Sequence, residues 1–245
     1  MLPFIAAGDP FPDPSTAWCD GSEAPGLLCA GGDLSVASLL NAYRQGIFPW
    51  FSEGQPPLWW STNPRMVLHP AEFKLHRSLK KNILAMLRSG CEVRIDHDPA
   101  RVIAACANST QRAQAGTWIV QPMQAAYTAF ARAGHVHSVE VWQRNTLVGG
   151  LYLVAIGGAV FGESMFHTAS NASKLALAAL VALCRAQGVT RIDCQQQTSH
   201  LASLGARPIA RAEFLAQLQA DTRKPALEWT WQPLYWNEIH IKFQP

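Results

Sequence analysis

Residues 136–166 read VHSVEVWQRNTLVGGLYLVAIGGAVFGESMF, and this stretch decides the fold. It contains three apolar, strand-like runs separated by the turn dipeptides Arg144-Asn145 and Gly157-Gly158. The runs are Val136–Gln143, Leu147–Ile156 and Ala159–Phe166. Because the connections are so short, neighbouring strands must run in opposite directions. The sequence therefore predicts a three-stranded antiparallel meander.

A long helix and a buried strand follow the meander. Leucines at helical spacing predict a helix over residues 171–187 that ends at Gly188, and Val189–Gln195 predicts a strand. Strands and helices segregated in this way indicate an α+β fold. The order strand, strand, helix, strand resembles the acetyltransferase (GNAT-like) superfamily. We therefore expect a mostly antiparallel sheet flanked by helices.

The first part of the chain differs from the rest in composition. It is rich in proline and glycine and contains one clear helix, which Ser35 can cap and Gly46 can end. The aromatic segments that follow, Gly46–Phe51 and Trp59-Trp60, are too apolar for solvated loops. We expect a small N-terminal domain over residues 1–66, packed on a larger GNAT-like catalytic domain over residues 67–245.

The segment from Leu75 to Arg88 predicts an amphipathic, basic helix. Its apolar residues recur at helical spacing, and five cations and no acid lie between residues 74 and 88. Such a charge run is either an ordinary solvated helix face or a patch that contacts phosphates. The absence of acids favours RNA as the partner, since the net charge of +3 for the whole chain is only weakly basic.

Composition limits the class of protein. With 245 residues, 49% hydrophobic and 15% charged, the chain can bury a substantial core. Its longest apolar runs fall short of the ~20 residues of a membrane span, and its N-terminus lacks the pattern of a secretory signal. The six cysteines form no CxxC pair and no dense disulfide pattern. We expect a cytoplasmic protein with reduced thiols and no membrane partner.

Two groups of polar residues could carry chemistry. Glu163 follows Gly162 in an apolar strand, so it needs a partner, either a structural cation or a substrate ammonium. Strand alternation places Asp193 and Gln195 on one face, where they could orient an amine. In the alternative interpretation Asp193 satisfies backbone donors at the end of the strand. Cys194 should point the other way, into the core.

Several common sites are missing from the sequence. His135 and His137 have no third ligand at metal-binding spacing, so no metal is expected. There is no P-loop and no nucleophile elbow, and residues 166–174 contain no glycine-rich pyrophosphate turn. The last absence argues against coenzyme A as the acyl donor.

Taken together, a series of short motifs resembles the leucyl/phenylalanyl-tRNA-protein transferases, bacterial enzymes of the N-end rule pathway. Their shared order and spacing over nearly the whole chain carry the resemblance. The motifs are Gly31-Gly-Asp-Leu-Ser35, Gly46-Ile-Phe-Pro-Trp-Phe51, Leu58-Trp-Trp-Ser61, Pro64-Arg65, Gly116-Thr-Trp-Ile119, His137-Ser138, Glu140-Val-Trp142, Gly162-Glu-Ser-Met-Phe166, Asn171-Ala-Ser-Lys174, Ile192-Asp-Cys-Gln195 and Ala202-Ser-Leu-Gly205.

The resemblance implies a monomeric aminoacyltransferase without cofactor. It would move Leu or Phe, and Met as a third donor, from aminoacyl-tRNA to the N-terminal amine of proteins that begin with Arg or Lys. Alternatives from the sequence are an acetyl-coenzyme A-dependent N-acetyltransferase and a non-catalytic tRNA-binding protein. The apolar cavity lined by charged residues that the resemblance implies favours the transferase over the tRNA-binding protein.

The resemblance also implies roles for particular residues. Asp193 and Gln195 correspond to the pair assigned to peptide-bond formation, and Glu163 corresponds to the acid that contacts the donor amino group. Trp50 and Trp118 correspond to the residues that hold the terminal adenosine. The pocket for the donor side chain corresponds to Leu151, Val160, Met165, Leu177 and Leu180. The tRNA-facing patch corresponds to Arg77, Lys80 and Lys81.

Overall fold

A computed structural model describes residues 1–108 and 119–243 and contains two β-sheets with helices packed around them. The N-terminal elements are β1 (Phe4–Ile5), β2 (Leu27–Gly31), α1 (Val36–Arg44), β3 (Phe48–Pro49) and β4 (Leu58–Trp60). The elements of the larger sheet and its helices are β5 (Arg65–Leu68), α2 (Arg77–Arg88), β6 (Cys91–Ile95), α3 (Pro99–Ala107), α4 (Gln121–Arg132), β7 (Val136–Gln143), β8 (Thr146–Ile156), β9 (Ala159–His167), α5 (Ala172–Ala186), β10 (Ile192–Asp193), α6 (Ser199–Ser203), β11 (Arg207–Ile209) and α7 (Arg211–Asp221). Short 3₁₀ turns lie at Pro14–Thr16, Pro70–Glu72 and Pro233–Ile239.

The N-terminal part forms its own four-stranded sheet in the order β1-β2-β4-β3. The indole of Trp59 donates a hydrogen bond to the carbonyl of Gly31 at 2.9 Å, which ties β4 to the end of β2. Helix α1 begins after Ser35, whose hydroxyl accepts from the backbone of Ser38 as predicted for a cap. Tyr43 and Trp59 belong to the same apolar core as Phe161 of the larger sheet. The separate N-terminal domain is confirmed, and it shares its core with the larger one.

The larger sheet has the order β11-β5-β10-β9-β8-β7-β6. The predicted meander is β7, β8 and β9, paired antiparallel as expected. Strand β10 lies parallel to β9 and antiparallel to β5. The sheet is therefore mostly antiparallel and flanked by helices, and the expected α+β class is confirmed. The boundary proposed at residue 66 lies inside β5, which belongs to the larger sheet.

The long helix α5 packs on one face of this sheet. Nearly all of its residues are buried, because alanine and leucine surround the whole helix and not only one stripe. Its first turn approaches β8 so closely that a Cβ added at Gly149 would lie 2.5 Å from the Cβ of Ala172. This close approach requires glycine at position 149 and fixes α5 against the centre of the sheet.

The strand predicted over Val189–Gln195 is much shorter in the structure. Only Ile192 and Asp193 pair as β10, and Gln195 has a positive φ of 53°. The backbone N–H of Gln195 donates to Oδ1 of Asp193 at 2.9 Å, and this local hydrogen bond replaces the next step of the ladder. The regular pairing of β10 therefore ends at Asp193, but the chain stays hydrogen-bonded to β5: the N–H of Cys194 donates to the carbonyl of Met66 at 2.8 Å, and the N–H of Met66 donates to the carbonyl of Gln195 at 3.3 Å.

The apolar helices are all short on the scale of a lipid bilayer. Within residues 1–108 and 119–243, no helix combines the length and the hydropathy that spanning a membrane requires.

Candidate active site

A cavity of about 470 Å³ opens where the two domains meet. The N-terminal domain contributes Phe48, Pro49 and Trp50 to its wall. The remaining lining comes from β8, β9, α5, β10 with the segment after it, and α6. A concave, mostly apolar space with a few polar groups is the usual form of a ligand site.

Glu163 forms the centre of the polar wall of this cavity. The register between β8 and β9 shifts so that Glu163 has no residue opposite it on β8, which is a β-bulge. Tyr43 donates to Oε1 of Glu163 at 2.7 Å, and Tyr127 donates to Oε2 at 3.3 Å. The side-chain amide of Gln195 donates to Oε1 at 3.3 Å. The bulge thus aims the carboxyl group at three polar partners from three different elements.

Burial raises the pKa of Glu163 to about 8. The hydrogen bonds from Tyr43 and Tyr127 oppose this shift, and the negative charge of Asp193 adds to it. Burial, together with the charge of Glu163, also raises the pKa of both tyrosines well above 10. Both tyrosines therefore favour their protonated form at neutral pH, and Glu163 is the acid of this cluster whose pKa lies nearest neutrality.

Asp193 lies behind the cavity wall in a buried ion pair with Arg65. Nε of Arg65 donates to Oδ1 at 2.8 Å and an Nη donates to Oδ2 at 2.6 Å, and the side chains are 1% and 2% exposed. The guanidinium also donates to the carbonyl of Gly46 at 3.1 Å and lies between the rings of Phe48 and Phe214. Both charges are satisfied within the protein.

The inference that alternation places Asp193 and Gln195 on one face is wrong. Gln195 lines the cavity, whereas Asp193 does not, because the strand ends between them. Asp193 instead accepts the backbone N–H of Gln195 at 2.9 Å, and the carbonyl of Gln195 accepts from the hydroxyl of Thr62 at 2.9 Å. Asp193 is thus arranged to hold Gln195 in place, as in the alternative interpretation of the sequence.

The residues predicted for the donor side chain are divided by the structure. Leu151, Met165, Leu177 and Leu180 line the cavity. Val160 is absent from the lining: it is buried at 2% exposure and pairs with Ile192 in the sheet. Val160 is therefore a core residue and not part of this cavity.

Cys194 agrees with its prediction in part. It packs against the apolar core of the larger sheet, and it also lines the cavity. Burial raises the pKa of its thiol to about 12, with a further contribution from the charge of Asp193. A thiol of this kind is protonated at neutral pH, so it is unsuited to act as a nucleophile.

Of the two predicted adenosine-binding tryptophans, the structure describes one. Trp50 lines the cavity, and its ring packs against Trp60 at a centroid distance of 5.0 Å. Trp60 donates its indole N–H to the carbonyl of Trp50 at 2.6 Å, which fixes the position of Trp50. Trp118 lies outside the described residues.

The predicted basic helix is α2. Arg77 and Lys81 are exposed and Lys80 is partly so, and none of the ion pairs in the described ranges includes them. A ring nitrogen of His76, just before α2, lies 2.8 Å from the carbonyl of Ser203 in α6. Helix α6 also provides cavity-lining residues. This contact therefore places the start of α2 next to an element of the cavity wall.

Three residues of the polar cluster were not assigned a role from the sequence. Tyr43 and Tyr127 look like ordinary apolar positions of amphipathic helices, and only the fold brings their hydroxyl groups to Glu163. Arg65 could have been found, because an arginine beside Met66-Val67-Leu68 requires a buried partner as Glu163 does.

Across residues 1–108 and 119–243, no three His, Cys, Asp or Glu side chains lie close enough together to hold a metal ion. His137 instead contacts Asp96 at 2.6 Å and stacks on Trp229.

Comparison with known proteins gives two family matches. Residues 67–219 match the family described as leucyl/phenylalanyl-tRNA protein transferase, and residues 32–63 match the N-terminal domain of the same family. A leucyl/phenylalanyl-tRNA–protein transferase from Polaromonas sp. is 53% identical over 245 residues, which are all of this chain and 96% of the relative. The corresponding protein of Leptothrix cholodnii is 55% identical over 97% of this chain and 94% of its own length.

Two solved structures that resemble the chain are much more distant. A GCN5-related N-acetyltransferase from Kribbella flavida is 14% identical, with a TM-score of 0.36 over 69% of this chain and 58% of that one. The C-terminal domain of a putative lysylphosphatidylglycerol synthetase from Agrobacterium fabrum is 9% identical, with a TM-score of 0.40 over 71% of this chain and 56% of that one. The full-length matches at more than 50% identity decide the assignment: the chain belongs to the leucyl/phenylalanyl-tRNA protein transferase family.

Proposed function

We propose that this protein transfers Leu or Phe, and Met as a third donor, from aminoacyl-tRNA to the N-terminal amine of proteins beginning with Arg or Lys. The product would be a substrate of N-end rule degradation. The observation that carries the proposal is a carboxyl group, Glu163, on the polar wall of a mostly apolar cavity. An apolar amino acid with a free amino group and an esterified carboxyl group has this distribution of polarity.

The donor amino acid would bind with its side chain among Leu151, Met165, Leu177 and Leu180. Its ammonium would contact Glu163. Burial of an apolar side chain is worth ~0.8 kcal/mol per methylene group, so the pocket selects large apolar donors over small or charged ones.

The reaction needs orientation more than it needs a nucleophile. In an aminoacyl ester the acyl group is already activated, so the acceptor amine attacks the carbonyl carbon directly and the bond to the ribose oxygen of the tRNA breaks. The amine loses one proton, and the ribose oxygen gains one. Gln195 would orient the reacting groups at the cavity wall, while Asp193 would act through it as a positioning residue.

Narrowing the donor pocket should change the choice of donor. In a Leu177→Phe variant the added ring occupies cavity volume, so we expect kcat/KM for Phe-tRNA to fall at least tenfold more than that for Leu-tRNA. Competition between the two labelled donors measures this ratio. Leu84→Phe, on α2 outside the cavity, is the matched control. An unchanged ratio in Leu177→Phe would remove Leu177 from the donor pocket.

The tRNA would place its terminal adenosine on Trp50, with Trp118 as a second contact, and its phosphates near Arg77, Lys80 and Lys81. We expect the double variant Lys80→Ala, Lys81→Ala to bind tRNA more weakly and to reduce the slope of log K against log salt by up to about two. Filter binding of tRNA at a series of salt concentrations from about 50 to about 200 mM measures this slope. Arg223→Ala with Lys242→Ala removes two exposed cations from the C-terminal region as a control. Equal slopes in the wild type and the α2 variant would contradict the assignment.

The transferase and its two alternatives are separated by one experiment. Labelled leucyl-tRNA and labelled acetyl-coenzyme A are each offered together with a peptide beginning with Arg and one beginning with Ala. Leucine on the Arg peptide alone supports the proposal. Acetyl transfer would indicate an N-acetyltransferase, and tRNA binding without any transfer would indicate a non-catalytic tRNA-binding protein.

We also propose that the protein acts as a monomer in the cytoplasm.

A further inference from the structure

The polar cluster at Glu163 contains a closed set of oxygen contacts. Tyr43 donates to Oε1 of Glu163, and Tyr127 lies 3.3 Å from Oε2. The hydroxyl groups of Tyr43 and Tyr127 lie in direct hydrogen-bond contact with each other. The three groups therefore form a ring of three oxygen–oxygen contacts, and both tyrosines are fully buried.

The number of protons in this ring depends on the state of Glu163. With an ionised carboxylate, the two tyrosines supply two protons for three contacts, so one contact has no proton. With a protonated carboxyl group, each contact has one proton. Glu163 then donates to Tyr127, Tyr127 donates to Tyr43, and Tyr43 donates to Glu163. The neutral state satisfies the ring completely, as buried polar networks require.

Within residues 1–108 and 119–243, the other groups around Glu163 supply no free positive charge. Gln195 contributes a neutral amide from the segment after β10. The nearby charges, Arg65 and Asp193, are paired with each other. Burial, the largest influence on Glu163, also favours its neutral form. In the absence of a bound cation, the surroundings therefore favour the protonated carboxyl group.

We propose that Tyr43 and Tyr127 are positioning residues of the donor site: with Glu163 they form a closed hydroxyl ring that holds one proton until the donor ammonium replaces it. This inference rests on the proposed function, because it takes the donor amino group as the ligand of Glu163. Binding converts Glu163–COOH and R–NH3⁺ into a carboxylate–ammonium pair, and one proton leaves to solvent.

The tyrosines control how readily this proton is released. When Glu163 is ionised, both hydroxyl groups donate to the carboxylate, and these charge-assisted hydrogen bonds outweigh the one contact left without a proton, so the two tyrosines together lower the pKa of Glu163. Without one tyrosine, Glu163 holds its proton to higher pH and binds the ammonium less well at neutral pH. A donor that binds through this ring is therefore bound in a pH-dependent manner.

The test is the affinity of the full-length protein for an amide analogue of the donor terminus, adenosine carrying a 3′-phenylalanylamino group, between pH 6 and 8. The analogue cannot transfer its acyl group, and calorimetry gives its Kd. We expect the affinity of the wild type to rise about tenfold per pH unit from pH 6 to 7.5, where the analogue's amine is still largely protonated. Tyr43→Phe and Tyr127→Phe should each bind about tenfold more weakly at pH 7, with the affinity still rising at pH 8.

The possible outcomes separate the claim of a hydroxyl ring from the claim that the donor amino group binds at Glu163. A wild-type affinity that is flat from pH 6 to 7.5, or tyrosine variants whose pH profiles have the same shape as that of the wild type, would overturn the ring. Failure of the wild type to bind the analogue at any pH would overturn the proposed donor site and the ring together. Tyr235→Phe removes a hydroxyl far along the chain and should reproduce the wild-type profile. Thermal unfolding shows which variants are folded. One folded tyrosine variant is enough to decide the test.

Discussion

Replacing Arg65 with methionine is expected to lower the free energy of unfolding by about 3–5 kcal/mol, because Asp193 would be left as a buried charge without its partner. Transfer should fall by at least ~100-fold in the protein that remains folded, since Asp193 also fixes the backbone of Gln195. Urea unfolding measures the first effect. Single-turnover transfer from preloaded leucyl-tRNA measures the second.

A second substitution separates stability from positioning. The double variant Arg65→Met, Asp193→Leu replaces the ion pair with apolar side chains, and such a replacement is often neutral for stability. We expect it to recover most of the stability lost in the single variant but not the transfer rate. A single variant that is as stable as the wild type, or a double variant with full activity, would contradict the structural role given to this pair.

Replacing Glu163 with glutamine is expected to lower kcat/KM for leucyl-tRNA by about 100- to 1,000-fold. Glutamine keeps the shape of the side chain and can still contact Tyr43 and Tyr127, but the donor ammonium loses its counter-charge in a buried site. Removal of one partner from a buried charged pair costs about 2–5 kcal/mol. Steady-state transfer to a peptide beginning with Arg measures the loss.

Two controls accompany this variant. Glu238→Gln removes an exposed carboxylate and should leave transfer unchanged. Binding of uncharged tRNA to Glu163→Gln should also be unchanged, because a tRNA without an amino acid has no ammonium group to contact residue 163. A kcat/KM within threefold of the wild type (about 0.6 kcal/mol) would show that Glu163 does not bind the donor amino group.

The fold was predictable where local patterns are strong. The meander and the long helix α5 follow from turn dipeptides and leucine spacing. The short strands β5 and β11 were not predicted, because three or four residues carry no measurable period and their pairing is decided by the rest of the sheet. Strand β10 was predicted too long for a related reason: the hydrogen bond between Gln195 and Asp193 competes with the ladder.

The site was predictable in its composition but not in its connections. A buried acid and an apolar pocket could be inferred from Glu163 and the residues around it. The ring with Tyr43 and Tyr127 joins residues up to 120 positions apart in the chain, and no local pattern encodes such contacts. Alternation also failed at Asp193, because a strand of two residues does not extend the pattern to Gln195.

The most direct test of the central claim is a crystal structure of the protein with the 3′-phenylalanylamino analogue of adenosine. The account predicts the phenyl ring among Leu151, Met165 and Leu177, the ammonium within hydrogen-bond distance of Glu163, and the adenine against Trp50. An analogue bound elsewhere, or bound with its ammonium directed away from Glu163, would contradict the account.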